Sequence, residues 1–316
     1  MKQAVPICLS LILLAGCTTT KTANDQPGSS LPSSALSTER GERRPLGASA
    51  NVLDADTSQA GGFYASSKAD ERALTVSDAK VVLSGATVTS AGEGSSALVV
   101  SGEHSEAILS DTRIDTTGNE SAALVSDGAT IRADNLQVST KGEHSPAAIV
   151  RGTLMLSRSS LSAETSQALE ITGPGLATLR ETRISCGQGA LSITRGTGNG
   201  TATLRVTGGT IEAASGTIFS VPDANAVITL EKIQITPASG HLIAIGGENT
   251  QASVSMTVTA GQLEGSIEVG AGSTLELTLQ DGSTWTGMLL GPGTVRLRVD
   301  DNSSFAPDEG SVSPLS

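Results

Sequence analysis

Short runs in which apolar and polar residues alternate recur along residues 73–307. Most repeats open with a small residue and an alternating apolar pair, such as Leu98/Val100, and continue after a turn with a second pair, such as Ala107/Leu109. A third alternating pair follows about two polar residues later. Alternation with a period of two indicates strands that bury one face and expose the other. The pattern therefore predicts three short strands in each repeat.

Ten such repeats, of 20–27 residues each, follow one another. They begin at Ala73, Ser95, Ser121, Ser145, Ala168, Ala190, Thr217, His241, Ser266 and Met288. Short strands that recur with a period of this length indicate a parallel β-helix, not a sandwich. We therefore predict an all-β solenoid of about ten coils over residues 73–307. Residues 51–72 are expected to form an N-terminal cap segment that leads into it, and 308–316 a C-terminal tail.

The composition agrees with a narrow, repetitive core. Only 2% of the residues are aromatic, whereas the chain has 36 glycines and many small aliphatic residues. The interior of a thin coil accepts ladders of Val, Leu, Ile and Ala, and glycine supplies corners with positive φ. The net charge of −12 argues against nucleic acid as a partner, because phosphate binding needs clustered Lys and Arg.

Residues 1–16 have the shape of a bacterial secretory signal. A short basic start precedes an apolar stretch that is too short to span a bilayer as a mature helix. The stretch ends in Leu14-Ala15-Gly16-Cys17, which resembles the lipobox of bacterial lipoproteins. That resemblance implies cleavage between Gly16 and Cys17 and attachment of lipid to Cys17, so that a membrane is one partner. The alternative is an ordinary secretory signal that is cut elsewhere.

Residues 17–50 are rich in Thr, Ser and Pro and show no apolar period, which predicts a lipidated flexible tether. Thr18 stands where an inner-membrane retention signal has Asp, so the outer membrane is the expected location. Cys8 leaves with the signal and Cys17 carries the lipid. Cys186 then remains alone, so no intramolecular disulfide is expected. We interpret Cys186 as a small buried core residue.

Part of the repeat region is similar to a known family. Residues 97–190, which begin ALVVSGEHSEAILSDTRID, look like the passenger domain of pertactin-type autotransporters. Residues 277–287, with Trp285-Thr286-Gly287, resemble the W-T-G segment near the end of such passengers. The resemblance implies a right-handed β-helix that is displayed on the Gram-negative surface and often acts in adhesion or host interaction.

Two features of the chain depart from that family. Only nine residues follow Pro307, so we expect no C-terminal β-barrel translocator. The lipobox takes the place of the ordinary signal of the family. We therefore expect a lipid anchor instead of self-export, and surface exposure is a hypothesis.

Polysaccharide lyases and hydrolases also use β-helices, and their sites need clustered carboxylates and often aromatic platforms. Here the acidic residues are scattered along the coils, and Phe219 is the only aromatic residue between Tyr64 and Trp285. We therefore expect no catalysis and no cofactor.

The tetrapeptide Gly-Glu-His-Ser occurs twice, at residues 102–105 and 142–145, and could suggest a metal site. The two copies fall at different phases of the coil, however. Related turns at residues 92–95 and 118–121 have no histidine. We interpret the motif as a sequence that favours a turn, and we expect no bound metal.

The leading hypothesis is an outer-membrane lipoprotein whose β-helix is a non-catalytic adhesin or binding rod for a host-surface or envelope protein or glycan. Recognition is expected in the longer turns, 194–201 and 246–252. The candidate binding residues are Arg195, Gly198, Asn199, Glu248 and Asn249, and the expected C-terminal cap residues are Trp285 and Phe305. The alternatives are a periplasmic envelope-scaffold lipoprotein and, third, a polysaccharide-active enzyme. The oligomeric state is left open.

Overall fold

The computed structural model of the chain describes residues 48–197 and 200–308. These residues form strands, turns and irregular segments, and no α-helix occurs among them. The strands stack in parallel across four sheets, in which each strand pairs with its equivalent from the next coil. The predicted parallel β-helix is confirmed.

Sheets 1 and 2 contain eleven strands each and run the whole length of the β-helix. Sheet 1 consists of β1 (Val52–Leu53), β4 (Leu74–Ser77), β7 (Leu98–Ser101), β10 (Leu124–Asp127), β13 (Ala148–Val150), β16 (Leu169–Thr172), β19 (Leu191–Thr194), β22 (Phe219–Val221), β25 (His241–Ile245), β28 (Ser266–Val269) and β31 (Leu289–Leu290). Sheet 2 consists of β2 (Thr57–Ala60), β5 (Lys80–Ser84), β8 (Glu106–Ser110), β11 (Thr130–Asp134), β14 (Thr153–Ser157), β17 (Leu176–Arg180), β20 (Ala202–Thr207), β23 (Asn225–Glu231), β26 (Ser253–Thr259), β29 (Thr274–Gln280) and β32 (Thr294–Val299).

The third side of the β-helix is divided into two sheets. Sheet 3 consists of β3 (Phe63–Ser66), β6 (Thr87–Ser90), β9 (Arg113–Thr116), β12 (Gln137–Thr140), β15 (Ser160–Ala163), β18 (Arg183–Cys186) and β21 (Thr210–Ala213). Sheet 4 consists of β24 (Gln234–Ile235), β27 (Gln262–Glu264), β30 (Thr284–Gly287) and β33 (Ser304–Pro307). The break falls where β24 is only two residues long and Pro237, which has no N–H to donate to a ladder, follows it.

The core is a set of aliphatic columns along the inside of the coils. Equivalent residues are in register from coil to coil, as Leu98, Leu124 and Ala148 are in sheet 1. All three are buried. Because each strand turns alternate residues inward, the small side chains stack and exclude water with few aromatic rings among them.

The structure has eleven coils, one more than predicted. The additional coil comes from residues 51–72, which we expected to be a cap segment. Strands β1, β2 and β3 pair in register with the next coil, as Phe63 does with Thr87. This coil was missed because its outward side chains dominate its sequence: Phe63 is 72% exposed.

The corner between sheets 2 and 3 is made by one residue with positive φ in successive coils. Gly85, Asp111 and Asn135 have φ values of 64°, 49° and 52° there, and these residue types tolerate the left-handed region. Lys232 and Ala260 hold the same conformation at the corner between sheets 2 and 4, with φ values of 52° and 51°. A side chain with a Cβ is sterically strained in this conformation, whereas glycine is not.

Serines build the corner between sheets 3 and 1. The backbone N–H of Ser95 donates to Ser121 Oγ at 2.9 Å, and the N–H of Ser121 donates to Ser145 Oγ at 3.0 Å. A Cβ on Gly118 would lie 1.9 Å from the carbonyl oxygen of Gly92, so the first position of each Gly-x-x-Ser turn needs glycine. The motif with His144 belongs to this corner, whereas the one with His104 lies between β7 and β8. The repeated tetrapeptide is therefore two different turns.

Candidate binding surface

The two turns that the sequence singled out lie at the same corner of the β-helix. Residues 194–201 connect β19 to β20, and residues 246–252 connect β25 to β26, so both join sheet 1 to sheet 2. The turn at Pro222–Ala224 lies between them, in the intervening coil. Gly198 and Asn199 fall outside the described residues.

Hydrogen bonds connect these turns across three coils. The backbone N–H of Arg195 donates to Asp223 Oδ1 at 2.9 Å, and Arg195 Nε donates to the backbone carbonyl of Asp223 at 3.0 Å. Thr250 Oγ1 donates to the backbone carbonyl of Pro222 at 2.6 Å. The three turns therefore form one continuous surface, which we call the turn ridge: residues 194–197, 200–201, 222–224 and 246–252.

The outermost part of the turn ridge is a tight turn with Glu248 and Asn249 at its tip. Gly247 and Thr250 face each other across the turn, with N–H···O distances of 3.2 and 3.5 Å. Glu248, Asn249 and Arg195 are all exposed. The surface thus presents a carboxylate, an amide and a guanidinium, which together can donate and accept hydrogen bonds with a polar partner.

The base of the turn ridge is fixed by close backbone contacts. A Cβ on Gly196 would lie 2.0 Å from the carbonyl oxygen of Gly173 in the preceding coil, and a Cβ on Gly200 would lie 2.5 Å from Pro174 Cβ. Both positions therefore need glycine. The contacts hold the two ends of the 194–201 turn against the coil below, so the exposed side chains project from a supported base.

A shallow groove of about 320 Å³ lies on the outer face of sheet 3. Ser139, Ser162 and Ser185 stand in register along it. An ion pair of 3.0 Å joins Arg183 to Glu212, the residue next in register after Ser185. The groove offers small hydroxyl groups and no aromatic platform.

A second groove, of about 470 Å³, lies near the C-terminal coils between sheets 1 and 4. His241 Nδ1 is 2.9 Å from Ser266 Oγ. Glu264, Met288 and Asp308 also line this groove. It therefore combines an imidazole and a hydroxyl with acidic and apolar walls.

Some of the carboxylates on the outer faces pair with basic side chains. Glu106 contacts Lys80 at 2.9 Å and Arg132 at 3.0 Å, and these two cations lower the pKa of Glu106. Glu170 differs, because burial raises its pKa. Across residues 48–197 and 200–308, no cluster of three His, Cys, Asp or Glu side chains is arranged to hold a metal ion.

Cys186 occupies an inward slot in register with Ala163 and Ala213. It is 7% exposed, and its thiol lies 3.3 Å from the carbonyl oxygens of Gly189 and Glu212. Burial raises the pKa of the thiol to about 11. The neutral thiol is therefore the stable form at physiological pH, as befits a core residue.

Trp285 is fully buried in β30, and its Nε1 donates to the carbonyl oxygen of Gly265 at 3.1 Å. Phe305 lies in register with it on β33 and stacks on it, with ring centroids 4.8 Å apart. Phe305 is partly buried. The pair closes the aliphatic core at its C-terminal end.

Leu14, Ala15, Gly16, Cys17 and the predicted tether up to residue 47 lie outside the described residues. Within the described ranges, no helix is long and apolar enough to cross a membrane. Comparisons with protein-family models, curated proteins and solved structures give no match to the chain.

The sequence did not reveal the residues that connect the turn ridge. Asp223 and Pro222 lie in a short turn of ordinary length, and only the stacking of the coils brings them against Arg195 and Thr250. The sequence Pro222-Asp223 indicates a turn, but it does not indicate which residues the turn contacts.

Proposed function

We propose that the protein is an outer-membrane lipoprotein, anchored through Cys17, whose β-helix is a non-catalytic adhesin-type binding rod. The turn ridge is the observation that carries this proposal. Turns in three successive coils are joined through Arg195–Asp223 and Thr250–Pro222, so exposed polar side chains stand on a regular scaffold. Binding residues are commonly held on loops that a rigid scaffold positions.

The chemistry of the turn ridge favours a polar protein or glycan as the partner. Arg195 is exposed and uses its Nε and backbone N–H within the ridge, so the two terminal nitrogens of its guanidinium can donate hydrogen bonds to a partner. Glu248 and Asn249 supply acceptors and an amide at the tip. A partner with alternating donors and acceptors would satisfy these groups.

Ion pairs at three carboxylates on the outer faces are consistent with a non-catalytic role. Glu106, Glu212 and Glu276 each pair with a lysine or arginine on the outer faces. Carboxylates held in this way stabilise neighbouring coils and are not held free for general acid–base chemistry. The alternative function is a periplasmic envelope scaffold, which would use the same rod on the other side of the outer membrane.

Location is tested by protease treatment of intact cells, with a periplasmic protein as the internal control and a Cys17→Ala variant alongside. We expect digestion of the β-helix in intact cells and its release from membranes by Cys17→Ala. Digestion only after the outer membrane is opened would reject the adhesin and favour the periplasmic scaffold.

The binding surface is tested separately, with beads that carry the full-length chain on layers of host cells. Arg195→Ala combined with Glu248→Ala should reduce bead attachment at least tenfold, because both charged groups are lost from the turn ridge. Lys141→Ala combined with Glu143→Ala is the matched control, since it removes one charge of each sign from an exposed turn at another corner. Equal attachment of both variants and wild type would reject the ridge as the binding surface.

A further inference from the structure

The outer face of sheet 2 carries two neighbouring arginines that have no acidic partner. Arg180 lies in β17 and Arg205 in β20, and both are exposed. Arg180 is in register with Thr207, and Arg205 with Thr178. The two arginines therefore occupy opposite corners of a four-residue block, with Cβ atoms about 8 Å apart. We call them the arginine pair.

Nearby carboxylates do not neutralise the arginine pair. Among residues 48–197 and 200–308, no group forms an ion pair or hydrogen bond with either guanidinium. Glu231 is in register with Thr207, but it pairs with Lys232 at 3.5 Å. Glu181 follows Arg180 at the corner, where it has a φ of 47°. Like charges on adjacent strands destabilise a sheet, so an anion that binds between the two guanidinium groups would relieve their repulsion.

A column of threonines extends from Arg205 toward the C-terminal end of the β-helix. Thr229, Thr257 and Thr278 follow Arg205 in register, and Arg298 ends the column in β32. The three threonines, which we call the threonine column, are partly exposed, and their hydroxyls have no hydrogen-bond partner within the described part of the chain. Four strand spacings of ~4.8 Å place Arg298 ~19 Å from Arg205. Evenly spaced hydroxyls thus lie between two cationic groups.

The outward side chains along the threonine column sum to a positive charge, although the chain as a whole carries −12. Glu231 and Glu276 are the outward carboxylates of β20, β23, β26, β29 and β32, and each is paired with a cation, Glu276 with Arg296 at 3.4 Å. Asp300, which follows β32, accepts hydrogen bonds from two backbone N–H groups. Exposed charges more than ~8 Å apart are largely screened at physiological ionic strength, so the local cations determine which ligand this face binds.

We propose that the outer face of sheet 2, from β17 to β32, binds an acidic polysaccharide that lies along the axis of the rod. The arginine pair binds carboxylate or sulfate groups of the polymer through charge-assisted hydrogen bonds. The threonine column exchanges hydrogen bonds with hydroxyls of the sugar rings. Val227, which is 38% exposed on the same face, contacts ring carbons. This face lies outside the turn ridge, and its ligand requires neither the lipid anchor nor adhesion.

Titration calorimetry with the full-length chain in non-ionic detergent measures the binding. The probes are polygalacturonate, which carries carboxylates, and dextran sulfate, which carries sulfates, with dextran as the neutral control. We expect an acidic polymer to bind and dextran not to bind, and the affinity should fall as salt is added. The acidic polymer that binds more tightly identifies the anionic group.

Arg180→Thr combined with Arg205→Thr removes the arginine pair and should weaken binding of the acidic polymer at least tenfold. Threonine is a good strand residue, so the variant should fold, and thermal unfolding verifies this. Should the double variant not fold, Arg205→Thr alone replaces it. Arg113→Thr combined with Arg183→Thr is the matched control, since both arginines are exposed on sheet 3 and each pairs with a carboxylate. It removes the same charge and should bind as wild type does.

Thr257→Val tests the path of the polymer along the rod. It keeps a branched side chain and removes one hydroxyl, so the affinity should fall about two- to tenfold. Arg195→Ala combined with Glu248→Ala, which disables the turn ridge, should bind the polymer as wild type does. Failure of the turn ridge as an adhesive surface is therefore distinguishable from failure of this site.

Three results would overturn the proposal. The first is that wild type binds neither acidic polymer, or binds dextran equally well. The second is that the variant of the arginine pair and its matched control bind with equal affinity, which would show that the arginine pair is not the site. The third is unchanged affinity in both Thr257→Val and Arg298→Ala, which would show that the polymer does not follow the threonine column.

Discussion

At the scale of single residues, the corner between sheets 2 and 4 contains a steric cost that the sequence pattern does not reveal. Ala260 has a φ of 51°, and its N–H donates to the carbonyl oxygen of Gln280 in the next coil at 3.2 Å. The ladder therefore holds this residue in the left-handed region, where a Cβ costs about 1–2 kcal/mol.

Ala260→Gly should for this reason raise the free energy of unfolding by about 1 kcal/mol, net of the greater backbone entropy of glycine. Urea unfolding measures the change. Ala91→Gly is the matched control, because Ala91 is exposed and does not have positive φ. It should lower stability, and a loss of stability in both variants would contradict the steric argument.

The buried thiol of Cys186 couples stability to pH. Its pKa rises from the ordinary value of 9.0 to about 11 on folding. Between these two values the unfolded chain has lost the proton and the native protein has kept it, so the free energy of unfolding falls as pH rises. Below pH 9 both states are protonated, and the full contribution is present.

Cys186→Ala removes this dependence and fits the slot, which Ala163 and Ala213 fill in the neighbouring coils. We expect the stability of wild type relative to Cys186→Ala to decrease from pH 9 to pH 11 and to stay constant from pH 6 to pH 8. Denaturant unfolding across this range measures it. A constant difference over the whole range would show that the native thiol titrates normally.

At the scale of strands and coils, the sequence predicts the interior coils, whose apolar pattern repeats, and misses the first coil, whose pattern differs. The predicted repeat starts at Ala73, Ser145 and Ser266 each fall within three residues of a sheet 1 strand, because inward aliphatic pairs mark every interior coil. The first coil lacks this mark: Phe63 points outward, and only Leu53 and Tyr64 pack against the core. An end coil is specified by backbone pairing with one neighbour, which leaves little trace in the sequence.

The candidate site was predictable only in part, for a similar reason. Turn length identified the segments around Arg195 and Glu248, but length does not show which turns share a corner. That depends on where each turn falls in its coil, and the contact of Arg195 with Asp223 joins residues 28 positions apart. The apolar residues on the outer face of sheet 1 did leave a signal, since Val99 interrupts the alternation between Leu98 and Val100.

Trp285→Ala should destabilise the C-terminal coils first. It removes the stack on Phe305 and the hydrogen bond to Gly265, at a cost of about 3–5 kcal/mol for a large buried aromatic side chain. In a solenoid each coil contacts mainly its neighbours, so the loss should stay local. Hydrogen exchange should show lost protection in β27–β33 and retained protection in β4–β16. Equal loss along the whole rod would contradict a local role.

At the scale of the whole molecule, the rod is a stack of interchangeable units that carries two unequal surfaces. The outward-facing apolar residues Val99, Val125 and Ile149 lie in the coils of β7, β10 and β13, whereas the turn ridge occupies those of β19, β22 and β25. Because energetic coupling in a solenoid passes from coil to neighbouring coil, the two surfaces should respond to separate changes.

Removal of one complete coil tests this independence. Deletion of residues 124–147 joins Ala123 to Ala148, which is in register with Leu124, so each strand of the lost coil is replaced by its equivalent. We expect a cooperatively folded rod, shorter by ~4.8 Å, that attaches to host cells through the turn ridge as wild type does. Deletion of residues 124–135 is the control, since it removes half a coil and should abolish folding. Loss of attachment in the folded one-coil deletion would show that the turn ridge depends on coils that do not contact it.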